Sequence, residues 1–142
     1  MFAGVLILWV IDGRIKREVA LHALISSLAA WVVAAMIKEL FPTLRPFQVN
    51  GNDALVLFKG HDGSFPSGHT AAAFGLAIGV WLHDKKIGSA FIVGAIIIGA
   101  SRVLANVHYP IDILGGVVIG TVVAFIVDRL HVYNLLSRKK TL

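Results

Sequence analysis

FPSGHTAAAFGLAIGVWL, residues 65–82, decides how the rest of the chain is read. A Pro-Ser-Gly turn leads straight into His69, and an apolar run begins one residue later. A helix that starts at the turn presents an ionisable ring at its mouth. The question outward from this stretch is which other polar residues meet that ring.

The surrounding composition sets the medium. Of 142 residues, 57% are hydrophobic and 15% charged, and the mean hydropathy is +0.81. A water-soluble domain of this size carries far more charge, so the chain reads as an all-α transmembrane helical bundle forming a single domain over residues 1–142. Cysteine is absent, which excludes disulfides and thiolate metal sites. The opening run MFAGVLILWV has neither a basic region before it nor a small-residue cleavage pattern after it, so it does not read as a signal peptide.

Four apolar segments follow: 20–37, 71–82, 87–101 and 111–127. A span needs roughly 20 residues at about 1.5 Å each. The second segment reaches a workable length only if its helix starts back at Ser67. On that basis the sequence predicts four full spans, preceded by a short helix over residues 1–11. Small residues at four-residue spacing, Gly75 with Gly79 and Gly116 with Gly120, predict close helix packing. The stretch 41–65, with Pro42, Pro46, Gly51, Gly60 and Gly63, predicts a loop outside the bilayer.

The +5 charge is informative through its placement. Arg14, Lys16, Arg17, Lys85, Lys86, Arg129, Arg138, Lys139 and Lys140 fall on one face of an alternating topology. Lys38, Arg45, Lys59 and Arg102 fall on the other. The basic-rich face is expected to be cytoplasmic, and no aromatic-interleaved basic patch points to nucleic acid.

On the outer face Lys38, Arg45 and Arg102 join Ser67, Gly68, His69, His108 and Asp112. Three fixed cations disfavour a metal there and attract an anion, and arginine suits phosphate oxygens. A helix starting at Ser67 aims backbone N–H groups and its positive dipole end at the same place. Pro110 is a favoured first-turn residue, and a helix from it sets Asp112 four positions beyond His108. A carboxylate fixes the imidazole tautomer and leaves the second nitrogen free to attack, while a second histidine, His69, can protonate a leaving oxygen. The pattern fits phosphoryl transfer without metal or cofactor. His22, His61, His83 and His131 read as interfacial or loop histidines without partners.

These residues also match a known signature. The chain resembles the type 2 phosphatidic acid phosphatase superfamily, integral-membrane lipid phosphatases that share a site with vanadium haloperoxidases. Its motifs, K-x6-RP, PSGH and SR-x5-H-x3-D, read here as Lys38-ELFPTL-Arg45-Pro46, Pro66-Ser67-Gly68-His69 and Ser101-Arg102-VLANV-His108-YPI-Asp112. The resemblance implies His108 as the nucleophile forming a phosphohistidine, Asp112 as its orienting carboxylate and His69 as the acid. It implies that Lys38, Arg45, Ser67, Gly68 and Arg102 hold the phosphoryl oxygens, with no metal. Six spans are usual in that family, so an N-terminal truncation is expected.

Within the family the chain looks most like undecaprenyl-diphosphatases of the bacterial cytoplasmic membrane, acting on a lipid diphosphate at the extracytoplasmic face with the C-terminus cytoplasmic. A phosphatidate or phosphatidylglycerophosphate phosphatase is the near alternative. Vanadate-dependent halide oxidation and non-catalytic lipid binding are the more distant ones.

Overall fold

The computed structural model describes residues 17–56 and 63–130. They form five helices: α1 (Arg17–Leu40), α2 (Pro46–Asn50), α3 (Gly68–Trp81), α4 (Lys85–Leu104) and α5 (Pro110–Arg129). No strand occurs among the described residues. The expected N-terminal half-span, His61 and His131 lie outside them.

Each helix starts where local chemistry allows. Ser67 caps α3 by accepting from the Thr70 N–H, and Asp84 caps α4 by accepting from the Ile87 N–H at 2.9 Å. Pro46 and Pro110 open α2 and α5, where a missing N–H costs nothing. The loop predicted over 41–65 therefore contains one short helix, α2.

The all-helical bundle expected from the sequence is present. Among the described residues three helices are, by length and composition, long and apolar enough to cross a membrane: Val19–Leu40, Lys85–Leu104 and Pro110–Arg129. Helix α3 has 14 residues, about 21 Å, with Ser67 as its cap rather than its first turn. Ten of the 14 are buried. Enclosed by its neighbours, α3 faces protein rather than lipid. The spans behave oppositely, with large apolar side chains such as Met36, Ile97 and Val118 left exposed, as lipid-facing surfaces are.

Helix α3 is the axis around which α1, α4 and α5 pack. The glycine pairs predicted for close packing sit at these contacts. A Cβ on Gly75 would come within 2.7 Å of the Ser26 carbonyl on α1, and one on Gly120 within 2.5 Å of the Ala71 carbonyl on α3. Small buried residues continue the seams: Ala23 with Leu76 and Val80, and Ala30 and Ala34 with Ala71. Dispersion between closely approaching backbones, rather than bulky interlocking side chains, holds this core.

The chain directions decide the rest. Helices α1 and α4 end where α3 and α5 begin, so Lys38, Arg102, Gly68 and Asp112 come to one end of the bundle. His22, His83 and Asp128 belong to the opposite end.

Candidate active site

The centre of the motif end is a buried carboxylate–imidazole pair. His108 and Asp112 are each 2% exposed, and His108 Nδ1 lies 3.3 Å from Asp112 Oδ2. The expected helix start at Pro110 is what places them so. Asp112 Oδ2 also accepts from the Tyr109 backbone N–H at 2.8 Å, tying the carboxylate into the first turn of α5.

A third donor was not legible as a motif. The Ser64 hydroxyl, fully buried, donates to Asp112 Oδ2 at 2.5 Å and lies 3.5 Å from His108 Nδ1. The backbone holds Ser64 there: its N–H donates to the Thr43 carbonyl at 2.9 Å, and the Phe65 N–H donates to Thr43 Oγ1 at 2.9 Å. A carboxylate fixed by three donors fixes the imidazole in turn. With Nδ1–H directed at Asp112, Nε2 keeps its lone pair for chemistry.

Burial pushes the His108 imidazole down to about 4, helped by the Arg45 and Lys38 charges and opposed by Asp112. The ring is therefore neutral near pH 7, the state a nucleophile needs.

The cations reach this pair from three elements. Lys38, 9% exposed in the last turn of α1, donates from Nζ to the Gly63 carbonyl at 2.8 Å. Arg45, 5% exposed, donates from Nη1 to the Val107 carbonyl at 3.3 Å, one residue before His108. Arg102, in the last turn of α4, lies close enough to Arg45 for their charges to interact. Its Nε is buried with no hydrogen-bond partner among the described residues, and a buried donor of this kind is costly without an acceptor.

Asn106 straps the Arg45 segment to the His108 segment. It has φ +60°, a conformation asparagine tolerates better than most residues. Its carboxamide pairs with that of Asn50 at 2.9 and 3.2 Å and donates to the Asn52 carbonyl at 3.1 Å, while its carbonyl accepts from the Phe47 N–H at 3.2 Å.

The PSGH turn arrives from α3. The Ser67 N–H donates to the Asp112 carbonyl at 3.0 Å, so the start of α3 is stitched to the start of α5. Ser67 Oγ is fully buried and accepts from the Thr70 hydroxyl at 2.9 Å. Gly68 is buried, and a Cβ there would lie 3.4 Å from the Trp31 ring. His69 is exposed in the first turn and lines a largely apolar cavity of about 580 Å³ with Leu24, Leu28, Trp31, Leu76 and Ile98. Thus the histidine proposed as acid and the buried histidine have unlike surroundings, as acid and nucleophile require.

Two other histidines do not stand alone as expected. His22 and His83 meet edge to face, 5.1 Å between centroids, and His83 Nε2 lies 3.9 Å from Asp128 Oδ1. Their contact depends on helix packing, which joins positions far apart in the chain.

The family model of the PAP2 superfamily matches residues 18–136. The chain belongs to the PAP2 superfamily. Among PAP2 relatives, the Bacillus subtilis undecaprenyl-diphosphatase BcrC is 30% identical over 124 residues, 87% of this chain and 64% of the relative. The putative undecaprenyl-diphosphatase YbjG of Escherichia coli is 34% identical over 118 residues, 82% of this chain and 59% of the relative. The chain thus spans about three-fifths of the length of the curated relatives it matches. The crystal structure of Aquifex aeolicus LpxE superposes with a TM-score of 0.73 at 29% identity, covering 90% of this chain and 75% of that one. That of a PAP2-type phosphatidylglycerolphosphate phosphatase from Bacillus subtilis gives 0.63 at 26% identity, covering 78% and 58%.

Proposed function

We propose that the chain is the catalytic part of a membrane lipid phosphatase that removes the terminal phosphate of a polyprenyl diphosphate through a phosphohistidine. One observation carries the reading. A buried, neutral His108 oriented by Asp112 lies within reach of the Arg45 and Lys38 charges, with Arg102 close to Arg45, a grouping that suits a bound phosphoryl anion. The buried Arg102 Nε then has a natural acceptor in a phosphoryl oxygen.

The reaction follows from the atoms. His108 Nε2 attacks phosphorus as the bond to the leaving oxygen breaks, and that oxygen takes a proton from His69. The three cations and the first-turn N–H groups of α3 stabilise the charge on the equatorial oxygens. Water then attacks the phosphohistidine, the P–N bond breaks, His69 accepts the water proton, and phosphate leaves. None of these steps calls on a metal. Gly68 leaves room for the phosphoryl group beside Trp31, and Ser67 serves chiefly as the cap that orients the turn.

The cavity ending on His69 is apolar, as a lipid tail beside its headgroup requires. The names of the relatives support a polyprenyl diphosphate as substrate. The distribution of basic residues supports a bacterial cytoplasmic membrane orientation with this end outside and the C-terminus cytoplasmic.

Phosphate release from undecaprenyl diphosphate and from phosphatidate, in detergent with EDTA, tests the reading beside a His108→Ala control. Release from the diphosphate that vanishes in the variant is expected. Preference for phosphatidate overturns the substrate, and release that persists in His108→Ala overturns the nucleophile.

A further inference from the structure

At the bundle end opposite the motifs, His22 of α1, His83 of the α3–α4 turn and Asp128 of α5 each offer one ligand-capable atom, all within 4.8 Å of one another. Along α1, His22 is 16 residues from Lys38, about 24 Å at helical rise. This cluster is therefore separate from the phosphoryl site.

The hydrogen bonding narrows what the cluster can hold. His83 Nδ1 lies 3.0 Å from the Gly79 carbonyl, which only accepts, so Nδ1 carries the proton. In the neutral ring Nε2 then presents a lone pair, and the atom it faces is Asp128 Oδ1 at 3.9 Å. Either a proton on Nε2 or a metal ion between the two atoms satisfies both. The separation exceeds a hydrogen bond but approaches that of two ligands on one zinc ion, about 3.3 Å for tetrahedral bonds of about 2.05 Å. His22, 8% exposed, supplies the second imidazole at ring-contact distance. The backbone bond to Gly79 is the outer support that metal-binding histidines commonly have. The neighbouring Lys85 ammonium sits 3.1 Å over the Trp81 ring.

We propose that His22, His83 and Asp128 form a binding site for a divalent transition-metal ion, zinc by donor set, that clips α1, the α3–α4 turn and α5 together. Two imidazoles and a carboxylate are borderline donors that select zinc or cobalt over magnesium or calcium. Three protein ligands leave one position to water, so the ion exchanges. Its role is to fasten the helix ends.

The test uses the full chain in detergent, purified on a tag free of histidine and stripped with chelator. Zinc is titrated by calorimetry, and cobalt by its visible absorption. One equivalent per chain, tetrahedral cobalt bands and a melting temperature raised by about 5 °C at saturation are expected. His83→Ala and Asp128→Asn should each weaken zinc binding at least tenfold while leaving the metal-free melting temperature within about 2 °C. His108→Ala should bind as wild type does. No saturable binding up to about 100 μM, equal affinity in both ligand variants, or loss of binding in His108→Ala overturns the proposal.

Discussion

Lowering the pH separates a buried, cation-flanked His108, the proposed nucleophile, from an ordinary histidine. Burial first, then Arg45 and Lys38, hold His108 at about 4 against the ordinary 6.5. At pH 5.5 a group at 4 is about 97% neutral, whereas one at 6.5 is about 9% neutral, a tenfold difference in competent enzyme. The acid limb of kcat/KM, which reports the free enzyme, should therefore fall near pH 4. Lys38→Met removes one depressing charge and should move that limb toward neutrality, whatever it does to the amplitude. Because phosphate esters titrate near pH 6, the same titration is followed directly by NMR of labelled histidine, with His108→Ala to assign the resonance.

The sign carries over to stability. A histidine lowered on folding binds more protons when unfolded, so stability is full above about 6.5 and is lost as pH falls toward 4. For this 2%-exposed ring the loss amounts to about 3 kcal/mol. A His108 resonance titrating at 6.5, unmoved by Lys38→Met, would refute the electrostatic reasoning.

Three other outcomes follow from the contacts. Ser64→Ala removes the 2.5 Å bond to Asp112 and should lower kcat about tenfold with KM little changed; thermal melting should show a loss of about 1–3 kcal/mol. Gly120→Ala places a Cβ 2.5 Å from the Ala71 carbonyl, so α3 and α5 must separate, at a cost of about 1–3 kcal/mol visible as a lower melting temperature in detergent. Asn106→Ala loses its carboxamide bonds to Asn50 and Asn52 and strains a φ of +60°. It should cost about 1–2 kcal/mol and weaken substrate binding, because Arg45 and His108 lose their common strap, and Asn106→Gly should recover the backbone part only.

Much of the site was legible because its residues are typed by chemistry and spaced by helix geometry. His108 and Asp112 meet because Pro110 starts a helix, and that start is written in the sequence. Lys38, Arg45 and Arg102 share an end because spans alternate in direction. The extent of α3 was less legible: the apolar run 71–82 is only 12 residues long, and the helix starts at Gly68 with Ser67 as its cap rather than in its first turn. Ser64 carried no signal, since a serine before FPSGH resembles any loop serine until Thr43 positions it. The His22–His83–Asp128 cluster was invisible for a related reason. Its members are separated by 61 and 45 positions, and only the close packing of α1 and α5 on α3 joins them.

The placement of α3 explains why one end of so small a bundle can hold three cations. Its capped start delivers backbone N–H groups beside them, and the Ser67 N–H is bonded to the Asp112 carbonyl. The PSGH turn is thus tied directly to the first turn of the helix that carries Asp112. Lys38 and Arg45 each donate to a backbone carbonyl, of Gly63 and Val107 respectively, a dipole that orients the cation. In the proposed reaction the Arg45 and Lys38 charges that depress His108 also recruit the phosphoryl group, and once it is bound its negative charge offsets them. On that proposal His108 is kept unprotonated while the site waits and becomes more basic when the anion arrives, so binding and activation share one electrostatic origin.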